Sequence, residues 1–339
     1  MVHEPGLCHA HARTLPGPHQ ASLRRLHGPG TDVFPLGPAL RGPGKALQGR
    51  CAIVTGAGKG LGRAYALHLA AQGAAVLVNN RRHAGEADAQ TSAQQTVQAI
   101  EAAGGLAQAS WCDVSDPGSG EHMVAQALAC FGRIDMLVAN AGCDAACSFS
   151  KQSMADFRAV FDVGFFGSLY LTHAAWPHLM QQSYGRVVLT TSSAGLYGNH
   201  GQSAYAASKA AVIGLMRSLA LEGQRHNVLV NAIAPYAYSQ MTAPYLAAEL
   251  APVFDVSRVA PLVSWLCQPD CQLNGELLVS GAGITRRAGV GESQARRLRP
   301  QDMAQGLSQL SALPLQGYAS ANASFAKFLT EVDNMNPSA

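Results

Sequence analysis

Apolar and polar positions alternate along the middle of the chain in blocks that are typical of an α/β fold. Between residues 49 and 285, short apolar runs are separated by alanine-rich segments with helical periodicity. The apolar runs predict strands at residues 51–55, 74–79, 106–111, 134–140, 185–191, 227–233 and 276–281. The segments between them predict helices at residues 61–72, 87–103, 119–131, 154–182 and 203–223.

The strands between the first and the last are unbroken apolar runs, which indicates that both faces of their sheet are covered. Strands that alternate with helices are joined by right-handed crossovers into a parallel sheet. We therefore predict a single α/β domain over residues 49–285, with a Rossmann-type, doubly wound parallel sheet.

Both ends of the chain depart from this pattern. Residues 1–48 contain seven prolines and five of the 12 histidines without any apolar period, so we expect a disordered extension, or residues that precede the true start of the protein. Residues 286–339 begin with the basic stretch RRAGVGESQARRLRP and end with the amphipathic segment FAKFLTEVDNMNPSA. We expect this C-terminal tail to pack on the body or on a partner subunit.

The composition of the chain argues against several classes of function. A chain of 339 residues that is 48% hydrophobic and 13% charged can bury a large core. The net charge of +3, without basic stretches that contain aromatic residues, argues against a nucleic-acid partner, and the lack of an apolar run of about eighteen residues argues against a membrane span. The sequence shows no secretory signal and its final PSA is no peroxisomal address, so we expect the cytoplasm.

The cysteines do not form a recognisable metal or disulfide pattern. The eight cysteines include two CxxxC pairs, Cys143 with Cys147 and Cys267 with Cys271. No histidine cluster accompanies either pair at the spacing of a zinc site. We therefore expect no metal, and reduced thiols that are mostly buried.

A glycine-rich turn directly follows the first predicted strand, in TGAGKGLGRAYAL at residues 55–67. Gly56 permits a tight turn, Gly60 lets the backbone approach a pyrophosphate, and Gly62 allows close helix packing. The amides at the start of the helix then face the anion. A glycine turn that merely joins strand to helix is the alternative, but its place between the first strand and a helix favours dinucleotide binding.

The residues after the second strand indicate which dinucleotide. This chain has Asn80, Arg81 and Arg82 where the usual fingerprint has an acidic residue for the adenosine ribose. Because a guanidinium binds a 2′-phosphate and Asn80 does not repel it, NADP(H) is favoured over NAD(H). Alternatively, both arginines are solvated and Asn80 binds a plain ribose. Asp113 ends the third strand, where it accepts from the adenine amino group or caps a helix.

Four motifs in order resemble the short-chain dehydrogenase/reductase family over residues 50–285: TGAGKGLG, VANAG at 138–142, TSSAG at 191–195, and the YxxxK of Tyr205 and Lys209. GLGRAYAL, YGNHGQSAY, NAIAP and APLVSWLCQPDC resemble its (3R)-hydroxyacyl-CoA dehydrogenase members more closely. The resemblance implies NAD(P)-dependent interconversion of a secondary alcohol and a ketone, with a 3-hydroxyacyl-CoA or a similar hydrophobic substrate. It also implies a homodimer or homotetramer built on helices 154–182 and 203–223.

Tyr205 and Lys209 lie four residues apart on one helix face, where the ammonium favours the phenolate and lowers a pKa that is ordinarily about 10. The resemblance makes Tyr205 the proton donor and acceptor and gives Lys209 a second role in holding the nicotinamide ribose. It assigns Ser192, thirteen residues before Tyr205, to hold the substrate oxygen, with Ser193 as the alternative.

The resemblance extends the coenzyme site to Leu61, Val114, Asn140, Ala141, Gly142, Pro235 and Thr242. The loop after Pro235 becomes a substrate lid, whose apolar residues suit an acyl chain or ring but also suit core packing: Tyr236, Tyr238, Met241 and Tyr245. The tail arginines are candidates for CoA phosphates, although a solvated tail is favoured: Arg286, Arg287, Arg296 and Arg297.

One position departs from the family pattern. Gly164, in FDVGFFG, stands where the family commonly has the asparagine of an NxxG motif, which supports a water of the proton relay. Backbone groups hold that water instead, or the relay is weakened, so a catalytically weak dinucleotide-binding sensor or scaffold protein is the alternative function. We expect Gly164→Asn to raise activity or leave it unchanged.

Overall fold

A computed structural model describes residues 45–83, 85–244 and 246–335. Within these residues the sheet has eight strands in the order β3-β2-β1-β4-β5-β6-β7-β8. The strands are β1 Cys51–Val54, β2 Ala75–Asn79, β3 Leu106–Ser110, β4 Met136–Ala139, β5 Gly185–Thr190, β6 Val228–Tyr236, β7 Leu277–Gly281 and β8 Ile284–Ala288. The first seven are parallel, which confirms the doubly wound fold, whereas the unpredicted β8 runs antiparallel to β7.

Each of the five predicted helical segments contains a helix, one long segment is interrupted, and the helices at 193–197, 260–266 and 303–311 were not predicted. They are α1 Gly60–Ala71, α2 Ser92–Ala102, α3 Ser119–Phe131, α4 Met154–Phe161, α5 Gly167–Gln181, α6 Ser193–Tyr197, α7 Ser203–Gly223, α8 Ala260–Leu266, α9 Met303–Ser311 and α10 Ala321–Met335. A π-helical turn, Asp162–Phe166, interrupts the helix predicted at 154–182 and separates α4 from α5. Gly164 lies at the centre of this turn.

The core has two apolar layers, one on each face of the sheet. Strand β1 shows why its sequence does not alternate between polar and apolar residues. Ala52 and Val54 pack into one layer, while Cys51 and Ile53 pack into the other. All four are buried, as expected for a parallel strand that helices cover on both faces.

The strand order places a crevice at the carboxyl end of β1. This strand pairs with β2 on one side and with β4 on the other, so the connections after β1 and β4 leave the sheet in opposite directions. Doubly wound sheets bind ligands at the carboxyl ends of the strands at such a switch point. The loops that follow β1, β4, β5 and β6 meet there.

The body begins slightly before the predicted boundary at residue 49. Residues 45–48 form a turn in which Leu47 is fully buried and its amide donates to the Gln72 carbonyl at 2.9 Å. The last four residues of the predicted extension are therefore part of the fold, because Leu47 fills the core. Residues 1–44 lie outside the described residues, so disorder there stays a prediction.

The C-terminal tail begins as part of the sheet. β8 pairs with β7, and Arg287 binds Glu276 at 2.8 Å, so the predicted domain end at residue 285 falls inside a strand. Beyond it the tail folds on itself: the amide of Ala295 donates to the Glu331 carboxylate at 3.1 Å. Phe325 is 62% exposed, so α10 presents apolar surface to solvent.

None of the helices in the described ranges is long and apolar enough to cross a membrane. These ranges also contain no group of three or more histidine, cysteine or acidic side chains suited to a metal ion. Their seven cysteines are free. Burial raises the pKa of Cys51 and of Cys267 to about 12, which keeps both as thiols.

Candidate active site

A cleft opens at the carboxyl ends of the strands, in the crevice at the end of β1. Most of the predicted site residues line it: Gly56, Gly60, Leu61, Gly62, Asn80, Asn140, Ala141, Gly142, Ser192, Tyr205, Lys209, Pro235 and Thr242. The structure therefore brings together residues from the loops after β1, β2, β4, β5 and β6. Arg81, Asp113 and Val114 are absent from its lining.

The glycine turn has the backbone that its sequence predicts. Gly56 and Gly60 adopt positive φ angles of +64° and +54°, a conformation that favours glycine. At Gly62 a Cβ atom would lie 2.2 Å from the Gly56 carbonyl oxygen. Only glycine fits these positions, and the resulting cradle fits the pyrophosphate of a dinucleotide.

Asn140 and Thr55 join the loops after β1 and β4. The Asn140 side-chain amide donates to the Thr55 carbonyl at 3.0 Å. In return, the Thr55 hydroxyl accepts from the backbone amides of Asn140 and Ala141 at 3.0 and 3.1 Å. These hydrogen bonds hold the two loops together beside the coenzyme site that the resemblance implies for Asn140.

The two arginines after β2 differ in their surroundings. Arg82 bonds to Asp88, and its guanidinium carbon lies 4.6 Å from the Trp111 ring centroid. Arg81 is 62% exposed and has a loose ion pair, 3.7 Å from the Asp113 carboxylate. Of the two, Arg81 is therefore the one available for a phosphate. Asn80 lies in the lining and donates to the Ser92 hydroxyl at 3.0 Å.

Asp113 stabilises the turn after β3 and does not cap a helix, which was the alternative prediction for it, because the N-cap of α3 is Gly118. Its carboxylate accepts from the backbone amide and hydroxyl of Ser115 at 3.0 and 2.7 Å. Burial opposes ionisation, but these bonds and the Arg81 charge hold the pKa of Asp113 below its ordinary value. Val114 is buried, its carbonyl accepts from the Ser119 hydroxyl at 3.3 Å, and a Cβ on Gly167 would lie 2.9 Å from its side chain.

Lys59 is a cleft residue that the sequence reasoning missed. It lies between Gly58 and Gly60 of the glycine motif, immediately before α1, and is exposed in the cleft lining. A cation at this point faces the same anion as the helix amides. Its position within the motif was the available signal.

Ser192, Tyr205 and Lys209 meet on one wall of the cleft. The Lys209 ammonium lies 5.9 Å from the Tyr205 ring centroid and donates to the Thr190 carbonyl at 2.9 Å. Ser192 hydrogen-bonds to Tyr205 and accepts from the Ala194 amide at 3.2 Å. Ser192 lines the cleft and the alternative, Ser193, does not.

Burial has the largest effect on the pKa values of the ionisable side chains in this wall, Tyr205 and Lys209. It raises the pKa of Tyr205, against the opposing effect of the Ser192 hydrogen bond, and it lowers the pKa of Lys209 to about 8. The sequence predicted that Lys209 lowers the Tyr205 pKa. The net direction is the opposite, because desolvation of the phenolate outweighs the opposing interactions.

The Thr190 hydroxyl provides a further test of the dinucleotide interpretation. It is buried in the cleft wall without a hydrogen-bond partner among the described residues. Buried polar groups are normally satisfied, so an unpaired one here fits a site that receives a polar ligand. The glycine cradle and this hydroxyl together fit a nicotinamide dinucleotide.

Gly164 is buried in the π-helical turn that packs against α7. A Cβ atom at this position would lie 3.0 Å from the Ser208 hydroxyl oxygen, and that hydroxyl donates to the Tyr205 carbonyl at 2.9 Å. A side chain at residue 164 therefore requires the Ser208 hydroxyl to move by a few tenths of an ångström. This obstacle could not be seen in the sequence, because residues 164 and 208 lie on different helical segments.

The lid loop places apolar side chains at the surface. Tyr236 and Met241 are each 40% exposed, so the core-packing alternative does not describe them. The Thr242 hydroxyl donates to the Ala237 carbonyl at 2.6 Å and accepts from the Ser239 amide at 2.8 Å. Tyr245 lies outside the described residues. The tail arginines are absent from the cleft lining, as a solvated tail predicts: Arg286, Arg287, Arg296 and Arg297.

A family model described as short chain dehydrogenase matches residues 50–249. The chain belongs to the short-chain dehydrogenase family. It is therefore an oxidoreductase of that family, and NAD(P) is the family's coenzyme. The more specific resemblance found in the motifs is also confirmed, because peroxisomal multifunctional enzyme type 2 of Mus musculus is 44% identical over 239 residues.

That match covers 70% of this chain and 32% of the mouse protein, so the short-chain dehydrogenase described here spans about a third of that relative. The structure of full-length peroxisomal multifunctional enzyme type 2 from Drosophila melanogaster superposes with a TM-score of 0.71 at 34% identity, and the match covers 85% of this chain and 50% of that one. A 3-oxoacyl-[acyl-carrier-protein] reductase of Synechocystis is 38% identical over 190 residues, 56% of this chain and 74% of the reductase.

Proposed function

We propose that this short-chain dehydrogenase interconverts a secondary alcohol and a ketone by hydride transfer, with Tyr205, Ser192 and Lys209 as its catalytic residues. The observation that carries the proposal is the meeting of these three side chains on the wall of the cleft that the glycine turn opens. The bound coenzyme supplies or accepts the hydride at its nicotinamide ring.

The residues have distinct roles in this reaction. In the direction of reduction, the Tyr205 phenol donates its proton to the ketone oxygen, and in oxidation the phenolate takes the alcohol proton. The Ser192 hydroxyl holds the same oxygen by a hydrogen bond. Lys209 is fixed by the Thr190 carbonyl, so its ammonium is placed to hold the nicotinamide ribose. The raised pKa of Tyr205 keeps the phenol protonated near neutral pH, which suits reduction.

We propose NADP(H) as the preferred coenzyme. Asn80 carries no charge that would repel a 2′-phosphate, and the exposed Arg81 can exchange its weak contact with Asp113 for a phosphate. Lys59 adds a further cation, which lies in the cleft lining. Arg82 is engaged with Asp88 and Trp111, so the proposal gives it no phosphate contact.

We propose a 3-hydroxyacyl thioester, and 3-hydroxyacyl-CoA in particular, as the substrate class. Two observations support this class. The cyanobacterial relative is named a 3-oxoacyl-[acyl-carrier-protein] reductase. Met241 is exposed and lines the cleft, and Tyr236 is exposed in the same loop, so this loop offers apolar surface to an acyl chain.

We also propose that the chain forms a homodimer or homotetramer. The support is the surface of the predicted interface helices. α7 exposes small residues at 207, 210 and 214, which would allow close approach of a second helix. On α4, the rings of Phe157 and Phe161 stack 5.5 Å apart and are only half-buried. Sedimentation of the purified protein distinguishes two copies from four.

The test of the function follows nicotinamide absorbance in purified protein with a 3-oxoacyl-CoA and either NADPH or NADH, with Tyr205→Phe as the blank. NADPH oxidation that disappears in the variant supports the function, the coenzyme and the substrate class together. If neither coenzyme is consumed, calorimetric titration decides what remains. Tight coenzyme binding that Tyr205→Phe does not alter would favour the sensor or scaffold, for which Gly164 is the supporting observation.

A further inference from the structure

Asp144 is a half-buried carboxylate in the loop that follows β4 and Gly142. One of its oxygens accepts a hydrogen bond from the side-chain amide of Gln202. The other oxygen, Oδ1, is buried without a hydrogen-bond partner among the described residues. Buried carboxylates are costly unless they are paired, so a structure that keeps one beside a reaction cleft requires an explanation.

The partner of Asp144 lies at the start of the catalytic helix. Gln202 directly precedes α7, and Tyr205 is the third residue of that helix. Two further contacts join the same segments: the Cys147 amide donates to the Gly201 carbonyl at 2.8 Å, and the Ser203 hydroxyl donates to the Gln152 side chain at 2.9 Å. Among the residues that make these three contacts from the segment after β4, Asp144 is the charged one.

We infer that Asp144 is a positioning residue for the redox reaction: its carboxylate holds Gln202 at the start of α7, three residues before Tyr205, and brings a negative charge to that end of the helix. The inference rests on the proposed function. Burial raises the pKa of Asp144 above its ordinary value, whereas the hydrogen bond from Gln202 and the position near the start of α7 favour its charged form.

Few ionisable groups act on Tyr205. Lys209 faces it from its own helix, and Cys143 and Asp144 face it from the loop after β4. Ser192, which does not titrate, hydrogen-bonds to it from the loop after β5. Asp144 adds to the effect of burial in raising the pKa of Tyr205, so its charge favours the protonated phenol that ketone reduction uses.

Asp144→Asn tests the charge, because asparagine keeps the shape and the acceptor for Gln202. The titration of Tyr205 is read as the phenolate absorbance of the protein minus that of its Tyr205→Phe counterpart, in the wild type and in Asp144→Asn. We expect ionisation to begin about one pH unit lower in Asp144→Asn. Coincident titration curves, including no ionisation in either protein up to the pH of unfolding, would overturn the inference.

This readout does not depend on turnover, so it separates the inference from the proposed function. Where turnover is measured, the fall of kcat/KM for reduction at high pH should move to lower pH in Asp144→Asn. Asp156→Asn is the matched control. It removes a carboxylate from the first turn of α4, which packs against α7, and Asp156 does not act on Tyr205. A shift of equal size in this control would show that any nearby charge suffices and would contradict the specific role of Asp144.

Gln202→Ala tests the positioning part, since it removes the amide that Asp144 binds and keeps the charge. We expect faster hydrogen exchange at the amides of residues 203–206 and a lower kcat with little change in KM. Wild-type exchange rates at these amides would show that the contact does not hold the start of α7.

Discussion

A buried cation lies near each end of strand β5, Arg186 of the strand itself and Lys209 of α7, and the two cations differ in what surrounds them. At the amino end, Arg186 is 1% exposed and donates to the carbonyls of Gly185, Asn227, Gln268 and Pro269. Its guanidinium also lies 4.5 Å from the Tyr184 ring centroid. Every part of this cation has a partner within the fold, which is the pattern of a structural residue.

At the carboxyl end, Lys209 is 2% exposed and donates to one carbonyl, that of Thr190. Burial lowers its pKa to about 8, and its ammonium lies on the wall of a cleft. A buried cation with few partners and a pKa near neutrality is costly for the fold and useful for binding or catalysis. The comparison of the two cations indicates that Arg186, at the amino end of β5, stabilises the fold, and that Lys209, at the carboxyl end, serves the proposed function.

The largest effect is expected at the carboxyl end of β5. Tyr205→Phe should lower kcat by about 10²- to 10⁴-fold, because it removes the proton donor and leaves the ring in place. The free energy of unfolding should stay close to that of the wild type, since the phenol oxygen is not a core contact. Steady-state kinetics and denaturant unfolding measure the two quantities. Turnover comparable to that of the wild type would show that Tyr205 takes no part in the reaction. The two ends of β5 would then not differ in function.

Replacing each of the two cations by methionine tests this comparison directly. Arg186→Met should lower the free energy of unfolding by about 3 kcal/mol, because several buried carbonyls lose their donor, and it should leave kcat of the folded protein unchanged. Lys209→Met should abolish most turnover. It should also be more stable than the wild type at pH 7 by up to roughly 3 kcal/mol, because the wild type carries a buried ammonium.

The sign of this second effect follows from linkage. The pKa of Lys209 is 10.5 as a model value and about 8 in the folded protein, so the unfolded chain binds the proton more tightly. The folded wild type therefore gains stability as the pH rises from about 8 to 10.5, and the advantage of Lys209→Met should shrink over that window. Denaturant unfolding at several pH values measures it. An advantage that does not change with pH would contradict the lowered pKa.

A smaller effect is expected for the two arginines that follow β2. Arg81→Ala should raise KM for NADPH about tenfold and leave KM for NADH unchanged, because only the former carries the 2′-phosphate. Arg82→Ala is the matched control, since its guanidinium is already held by Asp88 and Trp111. Equal effects of the two substitutions on both coenzymes would reject the assignment of Arg81.

The smallest effect concerns Gly164. The structure qualifies the expectation that Gly164→Asn alone raises activity or leaves it unchanged, because the new side chain meets the Ser208 hydroxyl oxygen at 3.0 Å. In a Ser208→Ala background that obstacle is gone, and Gly164→Asn should raise kcat by roughly two- to tenfold through a better-held water. Comparison of the double variant with Ser208→Ala alone measures the gain, and a loss would show that the site depends on the glycine.

Much of the fold was predictable from local pattern. The strand at 51–54, the glycine turn and the helix at 203–223 each follow from apolar period or from the backbone that glycine permits. The π-helical turn at 162–166 was not predictable, because its residues continue a helical pattern and their hydrogen bonding depends on packing against α7. Strand β8 was also missed, since four of its five residues are exposed and carry no strand-like alternation.

The sequence by itself determined which side chains have the chemistry: Tyr205 and Lys209 at helical spacing, Ser192 at a strand end, and the glycines of the first turn. Tertiary structure decided how those groups are tuned. The direction of the Tyr205 pKa, the placement of Asp144 beside Gln202, and the contact between Gly164 and Ser208 all join segments far apart in the chain. The physical reason is that desolvation and close contact depend on what lies around a side chain in space, whereas helical period and backbone conformation depend on its neighbours in sequence.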